Sequence, residues 1–280
     1  MDRQLVLRLI EQATEEQWEE LDLAGMDLTE LPQEIAQLNQ LKRLILGKWD
    51  KNTKKGGGNY LTTLPPELRY LKQLKELNVS CNQLTTIPDS ISKLVNLTNL
   101  DLRRNQICEI PESISQLVNL TVLNLNRNQI CEIPESISKL VNITTLSLWN
   151  NQIYEIPESI SQLVNLTTLD LSGNQLTTIP DSISKLINLT TLSLWRNRIS
   201  EIPEWIAKLS SLSVLDLADN EIEVLPYALI YLENLSVLRF KNNYLPIPDE
   251  ILRQGWGEKY HDPSNPKAIL NYYFANSQKC

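Results

Sequence analysis

An asparagine recurs every 23 residues along most of this 280-residue chain. From the second one onward, each stands in the same frame of apolar residues, which over residues 97–107 is L-x-x-L-x-L-x-x-N-x-I. The nine asparagines are Asn59, Asn82, Asn105, Asn128, Asn151, Asn174, Asn197, Asn220 and Asn243. A fixed period of this kind indicates a solenoid of stacked repeats, in which neighbouring units share one continuous core.

The repeat predicts a strand followed by a turn that is held by the asparagine. In the step Leu100-Asp101-Leu102, the two leucines face the core and the residue between them faces outward, as strand alternation requires. The following turn would leave backbone groups unpaired inside the stack. A buried asparagine offers one acceptor and two donors to those groups. The asparagines therefore predict structure, and ten strand segments are expected between residues 21 and 240.

A proline and an acidic residue follow most strands, as in Pro111 and Glu112. Proline suits the first position of a helix, where its missing N–H has no partner to lose. A negative charge in the first turn is stabilised by the helix dipole. The predicted fold is therefore an α/β solenoid, a horseshoe with a parallel β-sheet on the concave face and short helical turns on the convex face.

The 23-residue unit LxxLxLxxNxLxxIPxxIxxLxxL resembles the intracellular leucine-rich repeats of Roco proteins and of plant Ras-group relatives. The resemblance covers residues 18–248. Two further stretches, LILGKW at 44–49 and PKAILNYYF at 266–274, resemble bacterial and especially cyanobacterial Roco-type proteins. In that family such a tail leads into a Ras-like GTPase domain, whereas this sequence has no phosphate-binding G-x-x-x-x-G-K-[ST]. The resemblance implies a protein-binding or regulatory module that lacks the GTPase domain.

Three regions are predicted along the chain. Residues 1–17 form an N-terminal capping helix, residues 18–248 hold about ten repeats, and residues 249–280 form a C-terminal cap or tail. The predicted core positions of the first helix are Leu5, Ile10 and Ala13. Pro266 is placed to open a helix in the tail. The apolar residues expected to cover the last repeat are Ile269, Leu270, Tyr273 and Phe274.

Ten extra residues interrupt the second repeat between Leu46 and Asn59. One interpretation is a flexible surface loop, because loops tolerate insertions at a small thermodynamic cost. The alternative is a contact arm that projects from the rim beside the concave face. Its candidate contact residues are Trp49, Lys51, Lys54 and Lys55.

Charge and hydropathy limit the kinds of partner that the protein is expected to bind and indicate its cellular location. The net charge is −8, which argues against a general nucleic-acid binder because such proteins need a basic face. No apolar run reaches the roughly 18 residues of a membrane span. The N-terminal LVLRLI is short and interrupted by Arg8, so it is a poor signal peptide. We therefore predict a cytoplasmic protein that binds neither nucleic acid nor membrane.

No catalytic or metal-binding group is expected. The only histidine is His261, so acid–base chemistry based on histidine has no partner in the repeats. Four cysteines do not make a disulfide framework. Cys108 and Cys131 occupy the same slot of adjacent repeats, where a disulfide is geometrically possible. Reduced thiols are the preferred interpretation in the cytoplasm. The chain is predicted to be no enzyme and to hold no cofactor.

The outward positions of the concave strands carry the candidate binding site. Trp149 and Trp195 lie two repeats apart, or about 10 Å, and the small Ser172 and Gly173 between them leave a shallow notch. Tryptophan and arginine are enriched in interface hot spots. The predicted partner-binding residues are Arg103, Arg104, Arg127, Trp149, Asp170, Trp195 and Arg196.

These features predict a non-enzymatic interaction scaffold that binds a protein or peptide on its concave face. The concave positions hold ten basic and eight acidic residues within an acidic chain, which favours an acidic partner segment. Alternatively, the arginines pair with Asp101 and Asp170 and merely solvate the sheet. A hypothesis of another class is the regulatory arm of a Roco-type GTPase system, in trans or within a longer chain. A third is self-association.

Overall fold

The computed structural model describes residues 3–50, 55–252 and 265–276. Contacts within the chain divide it into two compact units, Met1–Leu146 and Ser147–Cys280, which we call unit 1 and unit 2. The α-helices are α1 (Arg3–Glu15), α2 (Asp89–Ser92), α3 (Asp249–Leu252) and α4 (Pro266–Asn276).

Ten of the short strands form one parallel sheet in chain order, and the other two, β3 and β4, pair only with each other. The strands are β1 (Glu20–Asp22), β2 (Arg43–Ile45), β3 (Lys48–Asp50), β4 (Lys55–Gly57), β5 (Glu76–Asn78), β6 (Asn99–Asp101), β7 (Val122–Asn124), β8 (Thr145–Ser147), β9 (Thr168–Asp170), β10 (Thr191–Ser193), β11 (Val214–Asp216) and β12 (Val237–Arg239).

Equal repeat length aligns equivalent residues of neighbouring strands. In unit 1 the register pairs Leu77 with Leu100 and Leu100 with Leu123. In unit 2 it pairs Leu169 with Leu192, and Leu192 with Leu215. These central leucines are almost fully buried and form the core side of the sheet. The residues on either side of each central leucine face outward, and we call that side of the sheet the open face.

The asparagine ladder pairs the buried backbone of each turn. Asn105 is typical: its Oδ1 accepts the N–H of Leu84 at 3.0 Å. Its Nδ2 donates to the carbonyls of Val79 at 3.0 Å and Leu102 at 2.9 Å. One side chain thus serves its own repeat and the preceding one. The predicted structural role of the asparagines is confirmed.

Short helical turns join the strands, and in the described chain most of them are 3₁₀ rather than α. The 3₁₀ turns are Gln33–Gln37, Pro66–Tyr70, Glu112–Gln116, Glu135–Lys139, Glu158–Gln162, Asp181–Lys185, Glu204–Lys208 and Tyr227–Tyr231. Together with the single parallel sheet, these turns confirm the predicted α/β solenoid of strands and short helical turns.

The prolines lie one position earlier than predicted. Pro111 has φ −70° and ψ 151°, so it is extended and precedes the first residue of its turn. Its carbonyl accepts the N–H of Ile114 at 2.9 Å. The placement of this proline at the first helical position was therefore wrong. Its fixed φ is compatible with extended backbone, and its carbonyl closes the turn.

Helix α1 buries Val6, Ile10 and Ala13. Leu5, which was expected in this set, is 47% exposed, so that assignment was wrong. The buried residues are four and three positions apart, which places them on one face of a helix. Leu5 directly precedes Val6 in the sequence, so its side chain lies outside that face.

Helix α4 packs on the last 3₁₀ turn. Ile269, Leu270 and Tyr273 are buried, and the Tyr273 hydroxyl accepts the N–H of Leu225 at 3.2 Å. The ring of Phe274 lies 5.2 Å from that of Tyr227, edge to face. These contacts place the apolar residues of the tail against the end of the repeats.

Candidate functional site

A side-chain cap ends the strands on the open face. The residue between the inward leucines is often Asp or Asn, and its Oδ1 accepts the backbone N–H two positions later. The capping residues are Asp22, Asn78, Asp101, Asn124, Asp170 and Asp216, at 2.9–3.2 Å. Asp170, predicted to contact a partner, therefore also has a structural role that Asn performs equally well in other repeats.

Three of the predicted arginines lie at a left-handed backbone position. Arg104, Arg127 and Arg196 have φ of 55–57°, and the same slot is filled by Asn150, with φ 57°. The backbone N–H of this slot donates to the neighbouring repeat, as from Arg196 to the carbonyl of Ala218 at 2.9 Å. Asn adopts this conformation more readily than most residues. The repeat therefore sets the backbone here and leaves the side chain variable.

Unit 1 brings Arg103, Arg104 and Arg127 together. Arg103 forms an ion pair with Asp101, and its Nε lies 2.7 Å and 3.0 Å from the two carboxylate oxygens. Arg103 therefore fits the alternative prediction, in which the arginines pair with neighbouring aspartates. Burial and then the neighbouring Arg127 guanidinium lower the pKa of Arg104, although an arginine stays charged. The cluster places three guanidinium groups close together, and Asp101 neutralises the charge of Arg103.

A depression of about 270 Å³ lies on the open face of unit 1. Arg43, one of its lining residues, forms ion pairs with Glu20 at 3.3 Å and with Glu76 at 3.0 Å. The polar side chains that line it are Arg43, Glu76, Asn78, Asn99, Asp101, Arg103 and Asn124. The sequence-based site included only Arg103 of these. The outward position before the first inward leucine, which carries Arg43, Glu76 and Asn99, was the signal that could have found the others.

In unit 2, Trp149 and Trp195 lie on either side of Gly173. A Cβ added to Gly173, which has φ +62°, would lie 3.5 Å from Cδ1 of Trp149. The N–H of Gly173 donates to the carbonyl of Trp195 at 2.6 Å. Both tryptophans are half-buried, and the indole N–H of Trp195 donates to Asp219. The Asp219 carboxylate thus fixes the indole of Trp195, and Asp219 was not among the predicted site residues.

Asp170 lies next to this notch on β9 and is half-buried. Burial raises its pKa, the N–H and hydroxyl of Ser172 lower it, and the nearby Asp216 carboxylate raises it further. Within the described residues, no lysine or arginine forms an ion pair with it. The alternative prediction, in which an arginine pairs with Asp170, is therefore not seen in these residues. Asp216 is paired with Arg239 at 3.0 Å, yet burial also raises its pKa.

We expect Asp170→Asn to change the pH dependence of stability. A carboxyl whose pKa is higher in the folded state lowers the free energy of unfolding as pH rises from its ordinary 3.8 through the raised value. Each unit of that shift corresponds to about 1.4 kcal/mol. Asn keeps the cap, as Asn78 and Asn124 do, and removes the titration.

Urea unfolding from about pH 4 to about pH 7 measures this effect. The stability of Asp170→Asn relative to wild type should rise through this window and then level off. A relative stability that falls with pH would contradict the raised pKa. Asp101→Asn is the structural control, since Asp101 makes the same cap and is paired with Arg103.

The insert in the second repeat forms a hairpin. Strands β3 and β4 are antiparallel, with Trp49 opposite Gly56. A Cβ on Gly47 would lie 1.7 Å from the Ser80 carbonyl oxygen, and one on Gly58 would lie 1.5 Å from that of Cys81. The hairpin therefore packs directly on the backbone of the next repeat. Of the predicted contact residues, Trp49 lies in β3 and Lys55 in β4, whereas Lys51 and Lys54 lie outside the described residues.

The described residues contain no cluster of His, Cys, Asp and Glu side chains that could hold a metal ion. His261 lies outside them. Cys81, Cys108 and Cys131 are free thiols, and burial raises the pKa of Cys81, so its reactive thiolate form is disfavoured. Among the helices of this part of the chain, none has the length and apolar character needed to span a bilayer.

A parallel sheet of equivalent strands, joined by short turns and locked by an asparagine ladder, defines a repeat protein with a variable open face. Leucine-rich-repeat models match residues 57–107, 119–140, 141–199 and 181–253. The chain is a leucine-rich-repeat protein. No curated protein matches it by sequence.

Solved structures share this fold. A leucine-rich-repeat protein of Leptospira interrogans is 37% identical, with a TM-score of 0.76, over 83% of this chain and 57% of its own. The ectodomain of the Arabidopsis thaliana receptor kinase GASSHO1/SCHENGEN3, solved with CASPARIAN STRIP INTEGRITY FACTOR 2, is 30% identical, with a TM-score of 0.66. The Arabidopsis receptor kinase HAESA, solved with the peptide hormone IDA and the co-receptor SERK1, is 27% identical, with a TM-score of 0.70.

The plant structures match 83% and 81% of this chain, respectively. The chain spans only 31% and 38% of their lengths, and little more than half of the Leptospira protein. The similarity therefore covers the repeats and not whole proteins.

Proposed function

We propose that this chain is a non-enzymatic interaction module that binds an extended peptide segment on its open face. The observation that carries the proposal is the pair of half-buried tryptophans, Trp149 and Trp195, on either side of Gly173. Tryptophans in partly desolvated notches are typical of interface hot spots. The HAESA structure above, solved with a peptide hormone and a co-receptor, supports the same use of the fold.

The arginine cluster of unit 1 gives the proposal a second element. Arg104 and Arg127 bring like charges together on one surface, and a carboxylate from a partner would relieve their mutual repulsion. We therefore propose that unit 1 by itself offers a contact for acidic residues of a partner. Asn is the matched replacement for either arginine, because Asn150 and Asn242 adopt the same left-handed backbone.

Peptides selected on the wild-type chain from a library of random linear peptides test the proposal. We expect Trp149→Ala/Trp195→Ala to raise their dissociation constants by about tenfold or more, because two anchor contacts are lost. Tyr154→Ala is the control, since Tyr154 is an exposed aromatic residue outside the strands. Isothermal titration calorimetry measures binding, and circular dichroism confirms folding.

Two outcomes would overturn the proposal. One is a folded double-tryptophan variant that binds the selected peptides at full affinity. The other is a selection that yields no peptide whose binding depends on these tryptophans. Arg104→Asn/Arg127→Asn should weaken only those peptides that carry acidic residues.

A second candidate function is the regulatory arm of a Roco-type GTPase system. It is favoured by the resemblance of the segments 44–49 and 266–274 to that family, and by the packing of α4 on the last turn through Tyr273. The nucleotide sequence beyond the codon for Cys280 tests it. A reading frame that continues into a phosphate-binding loop would select this function, and a stop codon without a separate GTPase partner would count against it.

A further inference from the structure

Asp170 differs from the other capping aspartates of the open face. Asp22 is paired with Lys48, Asp101 with Arg103, and Asp216 with Arg239. In the parts of the chain that the structure covers, Asp170 alone of these four has no such cation. Its carboxylate is held beside Ser172 by the backbone N–H of that residue at 3.0 Å. The repeat thus positions a negative charge and supplies no counter-charge.

The surroundings of Asp170 make its unpaired negative charge unfavourable. A half-buried carboxylate loses hydration, and burial accordingly raises its pKa. The neighbouring residue on β10 is the uncharged Ser193, and the next on β11 is another carboxylate, Asp216. Arg239, which lies opposite Asp216 on β12, already forms an ion pair with Asp216 at 3.0 Å. A cation brought by a partner would therefore gain more here than at any other capping aspartate.

The two tryptophans give such a cation a second attraction. They lie one strand to either side of Ser172 and Gly173, so their backbones are about 10 Å apart across two strand spacings. Cation–π attraction acts within roughly 6 Å of a ring. The Trp149 ring lies beside Gly173, where an added Cβ would be 3.5 Å from Cδ1. The indole N–H of Trp195 is held by Asp219, and the absent side chain of Gly173 leaves the space beside Trp149 open.

We propose that Trp149, Asp170 and Trp195 form an anchor site for an arginine side chain of the bound peptide. A guanidinium is planar, stacks on indole rings and donates to a carboxylate, so it satisfies both the rings and Asp170. This inference rests on the proposed function and names the residue type that the peptide presents to unit 2. The bound segment would then carry a basic residue at this site, whether or not it is acidic elsewhere.

Blocked tripeptides test the site on the intact chain. The indole N–H resonances of an isotope-labelled sample are followed by NMR while acetyl-Gly-Arg-Gly-amide is added. We expect the resonances of Trp149 and Trp195 to shift in a saturable way. Replacing arginine with the neutral isostere citrulline, or Asp170 with Asn, should weaken binding by about tenfold or more, the usual effect of losing a charged hydrogen bond. Asp101→Asn is the matched control and should bind as wild type does.

The outcomes separate this inference from the proposed function. No shift in wild type, or equal binding of the citrulline peptide, overturns the arginine site. Unchanged binding to Asp170→Asn overturns it as well. If library peptides still depend on both tryptophans in that case, the peptide-binding function stands without the arginine anchor. If the tripeptide requires Asp170 while library peptides ignore the tryptophans, the proposed function fails instead. Stronger binding of a lysine tripeptide would overturn the choice of guanidinium.

Discussion

We expect Asn105→Leu to lower the free energy of unfolding by about 2–6 kcal/mol. Leucine has a similar size but accepts and donates nothing. The substitution leaves the N–H of Leu84 without the acceptor it has in the wild-type chain. A buried donor that loses its partner costs about 1–3 kcal/mol. The carbonyls of Val79 and Leu102 each lose one hydrogen bond, worth about 0.5–1.5 kcal/mol, and keep the bonds from Asn82 and Asn128.

Urea unfolding followed by circular dichroism measures this loss, and hydrogen exchange shows whether the repeats around Asn105 open first. Asn243→Leu is the matched control. Asn243 makes the same three hydrogen bonds but is only half-buried, so water can replace them. An Asn105→Leu variant that is no less stable than Asn243→Leu would contradict this account of the ladder.

The fold was predictable from the sequence because one constraint repeats along the chain. The 23-residue period fixes which leucines pair across strands, such as Leu77 with Leu100. It also places each asparagine where the buried turn needs a partner for its backbone. A single repeat would have left these choices open, whereas ten repeats allow only one register.

Features that depend on contacts between particular side chains were not predictable in this way. The frame identified Arg196 as an outward residue but could not show its left-handed backbone. It could not show that Asp101 neutralises Arg103 while Asp170 has no such partner in the described chain. It also missed the bond from Trp195 to Asp219. These features vary between repeats, so the period carries no information about them.

The insert was unpredictable for a related reason. Its strands are only three residues long, too short for a periodic pattern to favour a hairpin over a flexible loop. The hairpin is positioned by the close approach of Gly47 and Gly58 to the neighbouring backbone. Glycine runs suggest flexibility in a sequence, yet here two glycines permit tight packing.

We expect Gly58→Ala to destabilise the protein more than Gly57→Ala does. Its Cβ would lie 1.5 Å from the carbonyl oxygen and 2.5 Å from the carbonyl carbon of Cys81. Both partners are backbone atoms, so neither side can yield by a change of rotamer. We expect a loss of about 3 kcal/mol or more in the free energy of unfolding, at the upper end for overpacking. Hydrogen exchange of the amides in β4 and around Cys81 should show local separation of the hairpin.

Gly57→Ala provides the control at the adjacent position. A Cβ on Gly57 would meet the Cβ of Lys48 at 3.9 Å, an ordinary van der Waals contact. This variant should stay within about 1 kcal/mol of wild type, because it removes glycine without creating a clash. If Gly57→Ala and Gly58→Ala lost stability equally, backbone flexibility would explain the glycines better than close packing. If neither lost stability, the hairpin would not rest on Cys81, because the added methyl group has no other place to go.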